Sequence, residues 1–319
     1  MHPVVSLHMI RDHEEHSRRR KIWDEVFSPK ALREYEPRVA LYTEQLLKRI
    51  VCNGNQTVNV TALFNYYSFD VMGDLAFGRS FNMLRYGAAH KYMKSSHDNM
   101  LTATAFTAEV AYRTGEAKTG EPPTTPDIFS WLLNGFENLD HPTPQDEVNL
   151  VGDEHLVVVA GSDLRAASIT CLFYQLALHP RIMADLQTEI DRFYTEYEHP
   201  SHHGLSKLEY LNACIDESLR LYPPVPSGLL RISSPQGCHI GDLFIPGNTV
   251  VQIPSYTMYR DAKNFTLPDD FIPERWTTRP ELTRDSSIYA PSQSARTRVR
   301  DVLTIVKTDL NLVFTRRDC

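Results

Sequence analysis

The amino-acid sequence predicts a mainly α-helical fold with a small antiparallel β region. Up to Pro224, apolar residues recur at helical spacing in one segment after another. After Pro224, short alternating or β-branched runs are broken by Gly, Pro and Asn, a pattern typical of short antiparallel strands. The middle of residues 144–180 is apolar almost all round, which indicates a long helix that runs through the core.

Residues that start or stop helices set the limits of the predicted elements. Pro29 suits the first turn of a helix, and Gly78 suits the position just after one. The paired prolines at 223 and 224 end the last long helix. Helices are predicted in residues 8–27, 29–51, 60–78, 144–180, 181–197 and 208–224, strands in 227–233, 238–246 and 248–256, and a turn-rich linker in 114–126.

The composition is that of an ordinary globular protein, with 42% hydrophobic and 23% charged residues. A net charge of −7 gives no basis for a nucleic-acid partner. The five cysteines (52, 171, 214, 238 and 319) include no CxxC pair, so neither a disulfide framework nor a structural zinc site is predicted.

The apolar runs of the sequence, such as residues 155–161, are shorter than the roughly 20 residues that span a bilayer. We therefore expect no membrane-spanning segment. The sequence begins almost at once with a charged amphipathic helix and has no signal-peptide core. We also expect the N-terminus to be truncated.

The strongest chemical signal is a glutamate with two arginines. Glu217 and Arg220 are three residues apart on a predicted helix and therefore share a face. Arg275, in the Pro-Glu-Arg-Trp sequence at 273–276, is a second candidate partner for the same carboxylate. A buried carboxylate held by two guanidinium groups would form a structural clamp. The alternative is an ordinary surface ion pair between Glu217 and Arg220.

The order of these motifs resembles the cytochrome P450 family, and in particular its fungal members. Glu-Ser-Leu-Arg-Leu-Tyr-Pro-Pro is followed by a β-rich stretch and then by Phe-Ile-Pro-Glu-Arg-Trp. The resemblance covers roughly residues 8–291, and it implies that residues 1–291 are a partial cytochrome P450 domain with a haem-thiolate monooxygenase fold. Glu217, Arg220 and Arg275 would then be the clamp beneath the haem.

The same resemblance implies three contacts to the haem propionates. His16 and Arg20 match a family motif in which two such residues lie one helical turn apart, in reach of the same carboxylate. Arg231 matches a strand arginine that also meets a propionate. For His16 and Arg20, the alternative is a solvated basic face of a helix.

The sequence Ala-Gly-Ser-Asp at 160–163 resembles the family motif Ala-Gly-x-Asp/Glu-Thr-Thr, which activates oxygen. The resemblance implies that Gly161 leaves room for dioxygen and that Asp163 takes part in proton delivery. Leu164 and Arg165 replace the two threonines, and neither supplies their hydroxyl group. The alternative is a close helix crossing through small residues.

The family's haem-ligand motif, Phe-x-x-Gly-x-x-x-Cys-x-Gly, is missing where the resemblance implies it. Its cysteine thiolate binds the haem iron, but Ser292 stands at the position of the phenylalanine and the next cysteine is Cys319. Neither Cys214 nor Cys238 matches the motif, so we identify no metal ligand.

A shift of the reading frame accounts for the missing motif. The genetic code permits codons for residues 292–301 such that one T inserted before them gives, in the shifted frame, Phe, Gly and Cys at the family spacing. Residues 292–319 are therefore interpreted as an aberrant tail that is out of frame, with alternative splicing or a retained intron as the rival account.

The resemblance implies haem b as cofactor, NADPH-cytochrome P450 reductase as partner and a lipophilic small molecule as substrate, in fungal secondary metabolism. The family is typically held at the endoplasmic-reticulum membrane; without an anchor, this chain is expected in the cytoplasm or at an unassigned location. Because the ligand cysteine and the threonines are missing, we expect the chain as translated to be inactive. The alternative from a different class is a haem-free helical binding protein or a non-functional truncated gene product.

Overall fold

The computed structural model describes residues 5–90, 93, 127–139, 141–197, 202–289 and 310–314, without the side chains of residues 155, 159 and 202. The linker predicted at 114–126 and residues 292–309 and 315–319 of the predicted tail lie outside these residues. The described residues are mainly helical, and their short strands pair antiparallel. The predicted fold class is therefore confirmed.

The chain divides into two compact units. Unit 1 contains residues 1–167 and 307–319, and unit 2 contains residues 168–306. The division falls within the longest helix, Pro144–Leu178. The predicted domain limit at residue 291 stays a prediction.

Unit 1 is built from helices around a buried central helix. Its helices are α1 (His13–Val26), α2 (Pro29–Cys52), α3 (Val60–Phe77), α4 (Met83–Tyr86), α5 (Ile128–Glu137) and the first part of α6 (Pro144–Leu178). Asp12, Ser28, Asn59 and Asp127 each cap the helix that follows, because their side chains accept a backbone N–H of the first turn. Helix α3 is buried along most of its length and ends at Gly78, whose φ of 68° suits a glycine.

A strand pair that the sequence did not predict joins the two parts of unit 1. Strand β1 (Thr57–Asn59) pairs antiparallel with β6 (Asn311–Val313), with Val58 opposite Leu312. Val60 N donates to the carbonyl of Leu310 over 2.9 Å, and Leu310 N donates to Thr61 Oγ1 over 3.0 Å. Residues 310–314 of the predicted tail therefore have a defined place in the fold.

Unit 2 packs three helices around one hydrophobic cluster. It contains the rest of α6, α7 (Pro180–Glu196), α8 (His202–Leu205), α9 (Glu209–Leu221), α10 (Ser255–Tyr259) and 3-10 turns at Pro273–Trp276, Pro280–Leu282 and Ser286–Ile288. The cluster is formed by Leu176 of α6, Leu186 of α7, Cys214 and Leu221 of α9, and Phe271. This core supports α9, the helix that carries the predicted clamp.

The β region of unit 2 consists of two separate strand pairs, whereas the sequence predicted one small sheet. Strand β2 (Leu230–Ile232) pairs with β5 (Val250–Gln252), and β3 (Cys238–Ile240) pairs with β4 (Leu243–Ile245). Pro235 and Pro246 lie between the two pairs. Because proline has no N–H to donate to a strand ladder, the pairs do not continue into one sheet.

Helix α6 corrects the expectation that no segment is long and apolar enough to cross a membrane. Its length and composition are sufficient, and 47% of its most apolar stretch is buried in the protein. The helix is longer than any single apolar run in the sequence, such as residues 155–161, because apolar residues on both sides of Gly161 and Ser162 lie on it. Since the core helix of a soluble protein meets the same criterion, the finding does not assign α6 to a membrane.

We expect removal of residues 310–319 to destabilise unit 1, because it deletes β6 and leaves Val60 N–H without its acceptor. The lost hydrogen bonds should lower the free energy of unfolding by about 1–3 kcal/mol. Urea unfolding followed by the fluorescence of Trp23 and Trp131, which lie in unit 1, measures the loss. Removal of residues 315–319 alone is the matched control and should leave the midpoint unchanged. Equal midpoints for the two deletions would contradict a stabilising β1–β6 pair.

Candidate functional site

Glu217 on α9 is the centre of a buried polar network in unit 2. Its carboxylate accepts from Arg220 Nε and Nη2, each over 2.9 Å, and from Arg275 Nε over 3.3 Å. All three side chains are fully buried. Helical spacing places Glu217 and Arg220 on one face of α9, and the turn Pro273–Trp276 brings Arg275 to the same carboxylate. The structure thus brings together the three residues that the sequence predicted as a clamp.

Two further donors, which the sequence analysis missed, also reach Glu217. The indole N–H of Trp276 donates to Oε2 over 2.9 Å, and the backbone N–H of Ile272 donates to Oε1 over 3.0 Å. The sequence could have indicated the contact of Trp276, because Trp276 directly follows Arg275 and a buried indole N–H needs an acceptor. We call Glu217 with its donors Arg220, Ile272, Arg275 and Trp276 the Glu217 node.

The remaining N–H groups of the two arginines bind backbone carbonyls. Arg220 donates to the carbonyl oxygens of Tyr259, Pro268 and Asp270, over 2.6–3.1 Å. Arg275 donates to those of Thr266, Leu267 and Leu282, over 2.8–3.1 Å. The node therefore fixes residues 259–282, most of which lie outside regular helices and strands, against α9.

Leu267 and Phe265 show how closely this loop is held. Leu267 has a φ of 49°, in the left-handed region that leucine rarely adopts, and Arg275 binds its carbonyl. The fully buried ring of Phe265 lies 5.1 Å from the guanidinium carbon of Arg220 and 5.7 Å from that of Arg275. Both cations therefore contact one aromatic ring as well as the carboxylate.

The electrostatics of the node favour a structural role over acid–base chemistry. Burial lowers the pKa of the Arg275 guanidinium, and the adjacent Glu217 carboxylate opposes that shift. Glu217 accepts from five donor atoms, more than the roughly four lone-pair sites of a carboxylate. A carboxylate so occupied has no oxygen available to take a proton from a substrate.

We expect Glu217→Ala to lower the free energy of unfolding by about 3–5 kcal/mol, because it leaves two buried guanidinium groups without their counterion. Urea denaturation followed by circular dichroism measures the loss, and a chain that no longer folds would appear as a collapse of the soluble yield. Glu281→Ala is the matched control. It removes a carboxylate from an exposed ion pair with Arg279 and should change stability by less than about 1 kcal/mol. Equal stabilities for the two variants would contradict a buried node.

Helix α1 in unit 1 places His16 and Arg20 one turn apart, but the buried arginine of the helix is Arg19. Arg20 forms an exposed ion pair with Asp24 over 2.8 Å, and His16 is half-buried. Arg19 Nη2 contacts Asp153 Oδ2 of α6 over 2.6 Å, and the two side chains are 6% and 7% exposed. The sequence analysis missed this pair. The sequence did contain an indication of this pair: Asp153 lies within a largely apolar helix, and a charged side chain that is buried there needs a partner.

Asp153 joins three elements of unit 1. Besides Arg19, it accepts from the backbone N–H of Leu7 over 2.6 Å and from the indole N–H of Trp23 over 3.4 Å. Burial raises the pKa of Asp153, and the Arg19 guanidinium opposes the shift. A cavity of about 40 Å³ beside the pair is bounded by Arg19, Asn149 and Asp153, among others. This volume is far below the roughly 300 Å³ of small-molecule pockets.

Arg231, the third residue predicted to contact a propionate, lies in unit 2 on the exposed strand β2. Its guanidinium donates to the carbonyl of the neighbouring Leu230 over 3.0 Å. Its role toward a cofactor stays a prediction.

Residues 160–163 pack against α3 within unit 1. A Cβ on Gly161 would lie 2.6 Å from Met72 Cε, so the missing side chain allows close contact between the helices. Ser162 Oγ lies 3.5 Å from the carbonyl of Ser68, and Asp163 is 4% exposed. These contacts are the kind that a helix crossing through small residues requires. The roles of Gly161 and Asp163 in oxygen activation stay predictions.

None of the four cysteines in the described residues has the setting of an axial thiolate. Burial raises the pKa of Cys171 to about 11 and that of Cys214 to about 12, so neither thiol forms much thiolate at neutral pH. Cys52 and Cys238 are exposed. Within the same residues, no group of three or more His, Cys, Asp or Glu side chains could hold a metal ion.

Comparisons with known proteins identify a family. A family model described as Cytochrome P450 matches residues 7–112 and 127–291. Cytochrome P450 monooxygenase FCK2 of Fusarium pseudograminearum is 49% identical over 312 residues, which cover 91% of this chain and 57% of the relative. Cytochrome P450 monooxygenase orf5 of Eupenicillium brefeldianum is 36% identical over 91% of this chain and 63% of its own length. Tryprostatin B 6-hydroxylase of Aspergillus fumigatus is 36% identical over 91% of this chain and 56% of its own length. The chain thus spans less than two thirds of these relatives.

Proposed function

This chain belongs to the cytochrome P450 family, and from that premise we propose that it derives from a haem-dependent monooxygenase of fungal secondary metabolism. The longer enzyme would insert one oxygen atom into a lipophilic small molecule. The observation that carries the proposal is the family match over residues 127–291, the range in which the Glu217 node lies. A relative named tryprostatin B 6-hydroxylase supports the same class of reaction.

For the site, we propose that the Glu217 node supports the haem-binding segment of that enzyme. His16, Arg20 and Arg231 would bind the haem propionates, since charge-assisted hydrogen bonds to carboxylates are among the strongest. Arg20 now pairs with the exposed Asp24, and Arg231 bonds to the carbonyl of Leu230. A propionate could replace either contact at small cost, because exposed pairs contribute little.

The described residues do not fit thiolate-bound haem. Haem b would supply the oxygen chemistry, and in this family a cysteine thiolate would hold it. The family match ends at residue 291, and the four described cysteines lack the required setting. Haem b is therefore proposed for the longer enzyme and not for the described part of this chain. Asp163 would hold a proton beside Gly161, but Leu164 and Arg165 supply no hydroxyl to pass it on.

The partners and location proposed for the longer enzyme follow the family. NADPH-cytochrome P450 reductase would deliver electrons, and the endoplasmic-reticulum membrane is the typical setting. Helix α6 gives this location no independent support, since 47% of its apolar stretch is buried in the protein.

A second candidate is a haem-free helical protein or a non-functional gene product. It is favoured by the lack of an axial cysteine among the described residues and by Leu164 and Arg165 in place of threonines. Under this alternative, the Glu217 node would stabilise a fold that has no bound cofactor.

We expect the 319-residue chain, mixed with haem, reduced and exposed to carbon monoxide, to lack the Soret band of thiolate-ligated haem, because no described cysteine lies where the family's haem ligand is expected. The matched comparison is the chain in which residues 292–301 are replaced by the shifted-frame sequence with Phe, Gly and Cys. That variant should show the band. A thiolate-type band from the unaltered chain would contradict the proposal, and its absence from the repaired chain would favour the haem-free alternative.

For the tail, we propose that the reading frame is disturbed within residues 292–309 and that native sequence has returned by residue 310. The register of β6 with β1 supports this limit, because an out-of-frame segment would need no specific partner.

Paired genomic and cDNA reads across the codons for residues 285–315 test the proposed limits. We expect an altered frame or a missing stretch that ends before residue 310. A continuous, unshifted frame in both reads would contradict it.

A further inference from the structure

The Glu217 node extends through Trp276 to Tyr289. The rings of Trp276 and Tyr289 have centroids 4.4 Å apart and an interplanar angle of 35°. The rings of Tyr259 and Tyr289 pack in an edge-to-face arrangement, with centroids 5.3 Å apart. Trp276 keeps its indole N–H on Glu217 over 2.9 Å. The side chain of Trp276 thus contacts both Glu217 and Tyr289.

The hydroxyl of Tyr289 makes a second attachment, to α9 itself. It donates to the carbonyl oxygen of Asp216 over 2.6 Å and lies 3.4 Å from Asp216 Oδ1. Asp216 directly precedes Glu217, so Tyr289 binds the same turn of α9 that carries the node. Burial raises the pKa of the Tyr289 phenol, which therefore stays protonated and able to donate.

The segment 284–289 has few other attachments. Residues 284–287 are exposed, and Asp285 accepts from Ser287 within the segment. Arg284 N donates to the carbonyl of Asn264 over 2.9 Å at the start of the segment. At the end of the segment, the side chain of Tyr289 makes the long-range contacts found among the described residues.

We infer that Trp276 and Tyr289 are positioning residues that fix the chain at residue 289 against α9, beside Glu217. Neither belongs to the predicted clamp of one glutamate and two arginines. The inference rests on the proposed function in one respect: in an enzyme with the haem-ligand motif after residue 291, this attachment would set where the ligand segment begins.

Hydrogen exchange measured by mass spectrometry on the haem-free 319-residue protein tests the inference. Tyr289→Phe removes one oxygen atom and keeps the ring, and Trp276→Phe removes the indole N–H and keeps an aromatic side chain. Each should speed exchange in a peptide covering residues 284–289 about fivefold, the factor that corresponds to one typical net hydrogen bond. A peptide covering β3 and β4, residues 238–245, should exchange at the wild-type rate.

The matched control is Tyr259→Phe, which removes a hydroxyl from the same aromatic group. Among the described residues, that hydroxyl has no hydrogen-bond partner. It should leave residues 284–289 unchanged. Faster exchange spread evenly over unit 2, or unchanged exchange in 284–289, would overturn the inference. Since no haem is present, these outcomes are independent of the spectral test of the proposed function.

Discussion

The buried carboxylate of Glu217 is the interaction on which unit 2 depends. Residues 259–282 form few helical or strand hydrogen bonds, so their buried carbonyls need other donors. Arg220 and Arg275 supply these donors, and Glu217 supplies the charge that lets two guanidinium groups lie side by side away from water. One carboxylate thus orders a loop that lacks enough regular structure to hold its own shape.

Unit 1 uses the same principle at a smaller scale. Buried Asp153 joins Arg19, Trp23 and the backbone of Leu7. Both units therefore retain buried charges that hold helices and loops in place, while the described residues provide no axial cysteine. In the described residues of this cytochrome P450 chain, these charge networks are present, and no cysteine has the setting of a haem ligand.

Sequence reasoning succeeded where the signal was local. Apolar periodicity located the helices of more than ten residues but not the ten-residue helix α5, and the i,i+3 spacing paired Glu217 with Arg220. Arg275, 58 residues from Glu217, was found through the order of motifs. Trp276, the Arg19–Asp153 pair and β6 were missed, because each depends on a partner distant in sequence. A three-residue strand such as β6, which pairs with the distant strand β1, is too short to show a period.

The most direct measurement is the exchange of side-chain N–H protons in unit 2 by nuclear magnetic resonance. If the Glu217 node holds the loop 259–282 against α9, the Nε–H protons of Arg220 and Arg275 and the indole N–H of Trp276 exchange as slowly as the most protected backbone amides of α9. All of these protons would then reach solvent together, when unit 2 unfolds. Exchange of the two arginine protons at the rate of exposed side chains, with α9 still protected, would contradict the central role of Glu217.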